Sequence, residues 1–125
     1  MYWYIDMEGF NLRRQCFIGF IAKEISILSS DGKQCYTYHI CSPKNMKVQE
    51  DDSTFLYQFH RHQLAWQFGY FKFNDAMNDI CSKVGRSIAY VKGLEKLQFF
   101  QKYLFAVGEL HMVPLFKKLH ECPPD

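Results

Sequence analysis

Apolar and polar residues along this chain fall first into a two-residue rhythm and later into a helical one. Tyr2 to Met7 is apolar and aromatic and predicts a strand. Cys16 to Leu28, dense in Phe and Ile, predicts a second strand long enough to cross a whole sheet. The stretch Ser29-Ser30-Asp31-Gly32-Lys33 comes next, and its Asp-Gly is a hairpin signal because Gly accepts the positive φ of a tight turn. In the following run, Gln34 to Ile40, Tyr36, Tyr38 and Ile40 share one face. Three consecutive antiparallel strands are expected.

The rhythm then changes. Ser42 to Asp52 is polar, holds Pro43 and the acidic run Glu50-Asp51-Asp52, and reads as a loop. Ser53 is placed to cap a helix through Phe55, Leu56, Phe59 and His62 to about Trp66, with Gly69 as its stop. Asn74 is placed to cap another, with Met77, Ile80, Cys81 and Val84 on its apolar face and Gly85 closing it. Ser87 to Val91 predicts a short buried strand. Gly93 to Phe105 predicts a helix with Leu94, Leu97, Phe100 and Leu104 inward. Ala106 to Leu110 predicts a last strand, and Pro114 opens a final helix through His120. A meander followed by alternating strands and helices gives one α/β domain over residues 1–125. Its mixed five-stranded sheet has the order 3-2-1-4-5, with strands 4 and 5 parallel to strand 1 and helices on its flanks.

Composition narrows the picture. At 125 residues, 48% hydrophobic and 18% aromatic, the chain can bury a core and does not read as disordered. A formal net charge of +2 does not by itself call for a nucleic-acid partner. No apolar run approaches the roughly 18 residues of a membrane span, and the acids at positions 6 and 8 come too early for a signal peptide. Five cysteines, an odd number with no C-x-x-C pair, read as reduced thiols in an intracellular protein of the cytoplasm or nucleus.

The residues most suggestive of chemistry are Asp6 and Glu8. Two apart on a strand, they project from the same face, and in the expected sheet that strand is central. Two carboxylates crowded at the end of a buried strand repel each other and lose hydration unless something compensates. Mg²⁺ or Mn²⁺, with its preference for hard oxygen ligands, is one such compensation. An exposed strand end with Glu8 paired to Arg13 or Arg14 is the other. Glu95, at the start of the helix after strand 4, and Glu109, just after strand 5, are substitute acids near the carboxyl ends of parallel strands, where open α/β sheets place their sites. For nucleic acid the candidates are Arg13 and Arg14 in the first loop, Phe10 beside them as a stacking ring, and Lys92 and Lys96. Lys102, Lys117 and Lys118 are weaker candidates. Tyr70 and Phe71, beside Gly69, suggest an exposed patch for self-association. Zinc is not expected: His60-x-His62, His120-Glu121-Cys122 and His39 next but one to Cys41 offer ligand types, but their spacing matches no known zinc-site pattern.

Ile5-Asp6-Met7-Glu8-Gly9 resembles the first motif of the ribonuclease-H-like DEDD family of 3′–5′ exonucleases, in which Asp-x-Glu on strand 1 binds catalytic metals. Lys23-Glu24-Ile25-Ser26-Ile27-Leu28, then Asp-Gly and a Tyr-rich strand, resembles that family's second and third strands, and Pro43 follows as a proline does there. His62-Gln63-Leu64 stands where many members have His-Gly-Ile, and Ala89-Tyr90-Val91-Lys92-Gly93 resembles strand 4. His62-x-Leu64-x-Trp66-x-x-Gly69 with Tyr90-Val91-Lys92-Gly93 also resembles uncharacterised proteins of arthropod genomes and mobile elements. The resemblance implies a ribonuclease-H-like fold, divalent metal at Asp6 and Glu8, and a nucleic-acid partner, DNA or RNA. Two motifs depart from it. Leu97-Gln98 falls where the family has an acid, and no His or Tyr followed by Asp on a C-terminal helix occurs before Asp125. The resemblance therefore implies an exonuclease-like domain with impaired catalysis. An active Mg- or Mn-dependent nuclease whose chain continues past 125, or a protein-interaction module or homodimer on the same fold, are the alternatives.

Overall fold

The computed structural model of the chain describes residues 1–14, 17–43 and 53–110, with side chains except at positions 12–19 and 53–57. The element order is β1 (Trp3–Arg14), β2 (Phe17–Ser29), β3 (Cys35–His39), α1 (Ser53–His62), α2 (Phe73–Val84), β4 (Ile88–Val91), α3 (Leu94–Gln101) and β5 (Ala106–Glu109). The five strands form one open mixed sheet in the order β3-β2-β1-β4-β5. The β1–β2 and β2–β3 pairs are antiparallel, while β1–β4 and β4–β5 are parallel, as the sequence pattern predicts.

The turn between β2 and β3 follows from its residues. Gly32 takes φ 74, and the Asp31 carboxylate accepts from the Ser29 hydroxyl at 2.6 Å and from the Lys33 amide at 3.0 Å. Those donors hold the Asp31 carboxyl below its ordinary range, the Ser29 hydroxyl contributing most. One sheet face carries the main core. Trp3, Ile5 and Met7 from β1 and Ile25 and Ile27 from β2 pack with Ala76, Met77, Ile80 and Val84 of α2 and Phe100 and Leu104 near α3. The opposite face holds a smaller cluster around Tyr4 and Leu28, with Cys35, Tyr90 and Leu110 against it.

Several boundaries differ from the expectation, each for a physical reason. β1 does not stop at Met7 but runs to Arg14, because Gly9 to Arg14 find backbone partners along Phe17 to Ala22. Arg13 and Arg14 therefore lie on a strand opposite Ile18 and Phe17, not in a loop. Between Glu8 and Gly9 the register shifts: Glu8 pairs Glu24 and Gly9 pairs Ala22, leaving Lys23 as the extra residue of a β-bulge. α1 ends at His62 instead of Trp66, where Gln63 takes φ 60. α2 starts at Phe73 behind Lys72, so Asn74 is inside the helix and caps nothing. Gly85, with φ 59, closes it as expected. α3 is shorter than expected and its Leu94 is exposed, because the first helical residue after Gly93 faces out from the sheet end. The helix expected from Pro114 to His120 lies outside the described residues.

Cys41 and Cys81 are free thiols, but Cys35 is disulfide-bonded to a partner outside the described residues, which departs from the all-reduced reading. Among the described residues no helix is long and apolar enough to cross a membrane.

Candidate functional site

Asp6 and Glu8 leave β1 on one face, at the height where β1 outruns its short partner β4. Asp6 is almost fully buried, 4% exposed. Its Oδ1 accepts a hydrogen bond from Lys96 Nζ, an ion pair closed across the top of the sheet. Lys96 reaches it because α3 begins directly after β4, so its first turn sits over the carboxyl ends of the parallel strands. The ammonium is the cation that a buried carboxylate needs. Lys96, expected as a phosphate contact, is thereby engaged with Asp6.

Glu8 stands directly opposite Glu24 on β2. Like charges facing each other across a strand pair repel. They share an open cleft of about 240 Å³ whose other walls are Arg61, His62 and Leu64. On the far side of Glu24, its Oε2 lies 3.7 Å from His39 Nδ1, a buried nitrogen with no hydrogen bond among the described residues. Within the cleft Glu8 lies near His62, with the exposed Arg61 also lining it, while Glu24 stands between the cleft and His39 behind it.

His62 is fixed at both ring nitrogens. Nε2 lies 3.0 Å from the Gly9 carbonyl and Nδ1 accepts from the Leu64 amide at 3.0 Å. A carbonyl can only accept and an amide only donate, so this geometry requires the neutral tautomer with hydrogen on Nε2. Burial lowers its pKa from the ordinary 6.5, against the opposing pull of the Gly9 carbonyl and Glu8. The unfolded chain therefore binds the proton first. The contribution of His62 to stability is complete above about 6.5 and is lost as pH falls through its lower folded value. Between pH 7 and 5 the unfolding temperature should fall more steeply for the wild type than for His62→Gln, which keeps a donor for Gly9. Parallel melting curves in the two proteins would refute this.

Phe10 is fully buried, its ring edge-on to His62 (centroids 4.7 Å apart) and to Trp66 (5.7 Å). It is the core under the cleft and cannot stack a base, because α1 and the segment after it cover that face of β1. Glu95 and Glu109 are exposed and neither lines the cleft. Lys92 is exposed just past β4. Among the described residues no three His, Cys, Asp or Glu side chains come together as a cation site. His60 is exposed on α1, Cys41 is exposed past β3, and His120, Cys122, Lys117 and Lys118 lie outside the described residues.

The sequence pattern missed Glu24, Arg61 and His62 as cleft residues and Lys23 as a buried cation, 2% exposed. A one-residue change of alternation in β2, from Phe20 and Ala22 inward to Ile25 and Ile27 inward, was the available signal for the bulge. Compared with protein-family models, curated proteins and solved structures, the chain finds no match in any of the three.

Proposed function

We propose that the chain is a ribonuclease-H-like domain that binds nucleic acid, DNA or RNA, at the carboxyl end of its central strand and has lost efficient phosphodiester cleavage. The observation that supports this best is the Asp6–Lys96 ion pair. Two-metal hydrolysis needs carboxylates free to hold divalent ions against the attacking and leaving oxygens. In this chain the first of those acids already holds an ammonium, the second faces Glu24, and Gln98 stands where the resemblance expects a further acid. Mg²⁺ or Mn²⁺ at Asp6 and Glu8 would have to displace Lys96, and the residues as arranged do not fit a two-metal centre. Glu95 and Glu109 would have to move to supply the missing acid. The cations proposed for phosphate are Lys92 and Arg61, both exposed, with Arg13 and Arg14 carried over from the sequence reading alone.

Fluorescence anisotropy with labelled DNA and RNA oligonucleotides over a salt series tests the reading. Four phosphate contacts predict a slope of log K against log salt of about −3 for a single strand. Lys92→Ala with Arg61→Ala should halve it. No binding at low salt, or Mn²⁺-dependent cutting that survives Asp6→Ala, defeats the proposal. A protein-interaction module is the second reading, favoured by the exposed rings of Phe68, Tyr70 and Phe71. Self-association in sedimentation with no salt-sensitive oligonucleotide binding would select it.

A further inference from the structure

On the sheet face turned away from α2, one row of residues runs from edge to edge. Cys35 stands opposite Leu28, Leu28 opposite Tyr4, Tyr4 beside Tyr90, and Tyr90 beside Gly108. Leu110, two residues past Gly108, joins Cys35 and Tyr90 against Tyr4 and Leu28. Two residues along, Ser26 and Thr37 hydrogen-bond each other at 3.2 Å, so the polar pair on this face is satisfied. Tyr4, Leu28, Ser26 and Thr37 are each at most 8% exposed. Such burial requires a layer on top of them. Among the described residues α2 and α3 pack in the other cluster, and no helix belongs to this one. α1 meets β1 farther on, at Gly9 and Asn11.

The disulfide at Cys35 indicates where that layer comes from. Of the five cysteines, Cys41 and Cys81 are free, which leaves Cys16 or Cys122 as the partner within the chain. Cys16 adjoins Phe17 at the start of β2, whereas Leu28, the residue opposite Cys35, lies eleven positions farther along the same strand. Eleven residues of strand span roughly 36 Å. A disulfide needs its Cα atoms within about 7 Å. Cys122 is the one left.

We propose that residues 111–122 dock across this second face, from Leu110 beside β5 to the outer strand β3, and that Cys122 is the disulfide partner of Cys35. The length suffices. From β5 to β3 the sheet measures about 19 Å, four strand spacings. A helix from Pro114 to His120, as the sequence predicts, covers about 10 Å, and the five residues flanking it reach up to about 16 Å more when extended. The pattern suits the surface. Met112, Leu115, Phe116 and Leu119 fall at i, i+3, i+4 and i+7, one apolar side of a helix to set on the row, while Lys117, Lys118 and Glu121 fall on the other.

The pairing is read by mass spectrometry of the full chain, equilibrated in an oxidised-glutathione buffer, alkylated in denaturant without reduction, and digested. The expected map joins Cys35 to Cys122 within a monomer and finds Cys16, Cys41 and Cys81 outside any protein disulfide. A Cys16–Cys35 bond, a Cys35 not bonded to another cysteine of the chain, or a disulfide-linked dimer on a non-reducing gel overturns it. Docking is read by trypsin cleavage after Lys117 and Lys118, each rate divided by that of an unstructured peptide of the same sequence. In the oxidised chain these bonds should be cut at least about tenfold more slowly than in the peptide. Leu115→Asp with Phe116→Asp should remove most of that protection while the disulfide stays. Peptide-like cleavage of the parent, or full protection in the double variant, overturns the docking. Should the double variant fail to fold, the map and the cleavage rate of the parent decide.

Discussion

Replacing Lys96 by Met should cost the fold about 3 kcal/mol, because it removes the ammonium from a carboxylate buried at the top of the central strand. Asp6 is 4% exposed and the Lys96 side chain 29%. Taking one partner from a buried ion pair costs more than the pair contributes, since the remaining charge keeps its desolvation penalty. The partial exposure of Lys96 places the loss at the lower end of the range measured for such pairs. Urea unfolding at neutral pH measures it, and Asp6→Asn with Lys96→Met should recover most of the loss. A second readout bears on function. With the ammonium gone, millimolar Mn²⁺ should raise the unfolding temperature of Lys96→Met and leave the double variant unchanged. If Lys96→Met is as stable as the parent, the ion pair is not what satisfies Asp6, and the account of lost catalysis fails with it.

Phe10→Ala should destabilise by about 4 kcal/mol, the cost of removing a large ring from a close-packed site. The ring is fully buried and held edge-on against His62 and Trp66. Phe10→Leu keeps most of the volume and should lose about 1 kcal/mol. The midpoint of a urea titration reads both. Were Phe10→Ala instead to fold normally and lose oligonucleotide binding, the ring would be a contact for bases and its burial a closed state.

The sheet order was legible because its determinants are local. Asp31-Gly32 turns the chain, Gly85 ends α2, and the period changes from two to nearly four after the third strand. The end of β1 was not legible for an equally local reason. Gly9-Phe10-Asn11 reads as a break, and only pairing with the distant run Phe17 to Ala22 makes it strand. Tertiary pairing overrides propensity in such stretches. The acidic pair was found from its spacing, but its partner was not. Lys96 lies 90 positions from Asp6, and nothing in either neighbourhood marks the other. The same holds for the cleft, whose walls come from β1, β2 and α1 with its C-terminal turn. Placing Arg13 and Arg14 in a loop and Phe10 on the surface both follow from ending β1 too early.

The extra residue in β2 has a consequence for which sequence changes this fold can absorb. Either side of Lys23 the strand presents opposite parities to the core, Ala22 below and Ile25 above. Sliding the hairpin by one rung would drive the Glu24 carboxylate inward and lift Ile25 and Ile27 into water. Deleting Lys23 would only remove the bulge, because Ala22 keeps Gly9 and Glu24 keeps Glu8 as partners, whereas deleting Ser26 would turn Ile25 outward and Glu24 inward; adding a residue at the Asp31-Gly32 turn only lengthens a solvent-facing connection. Length variation should therefore be tolerated at the tip of this hairpin and at the bulge residue Lys23, and disruptive between Ile25 and Ile27.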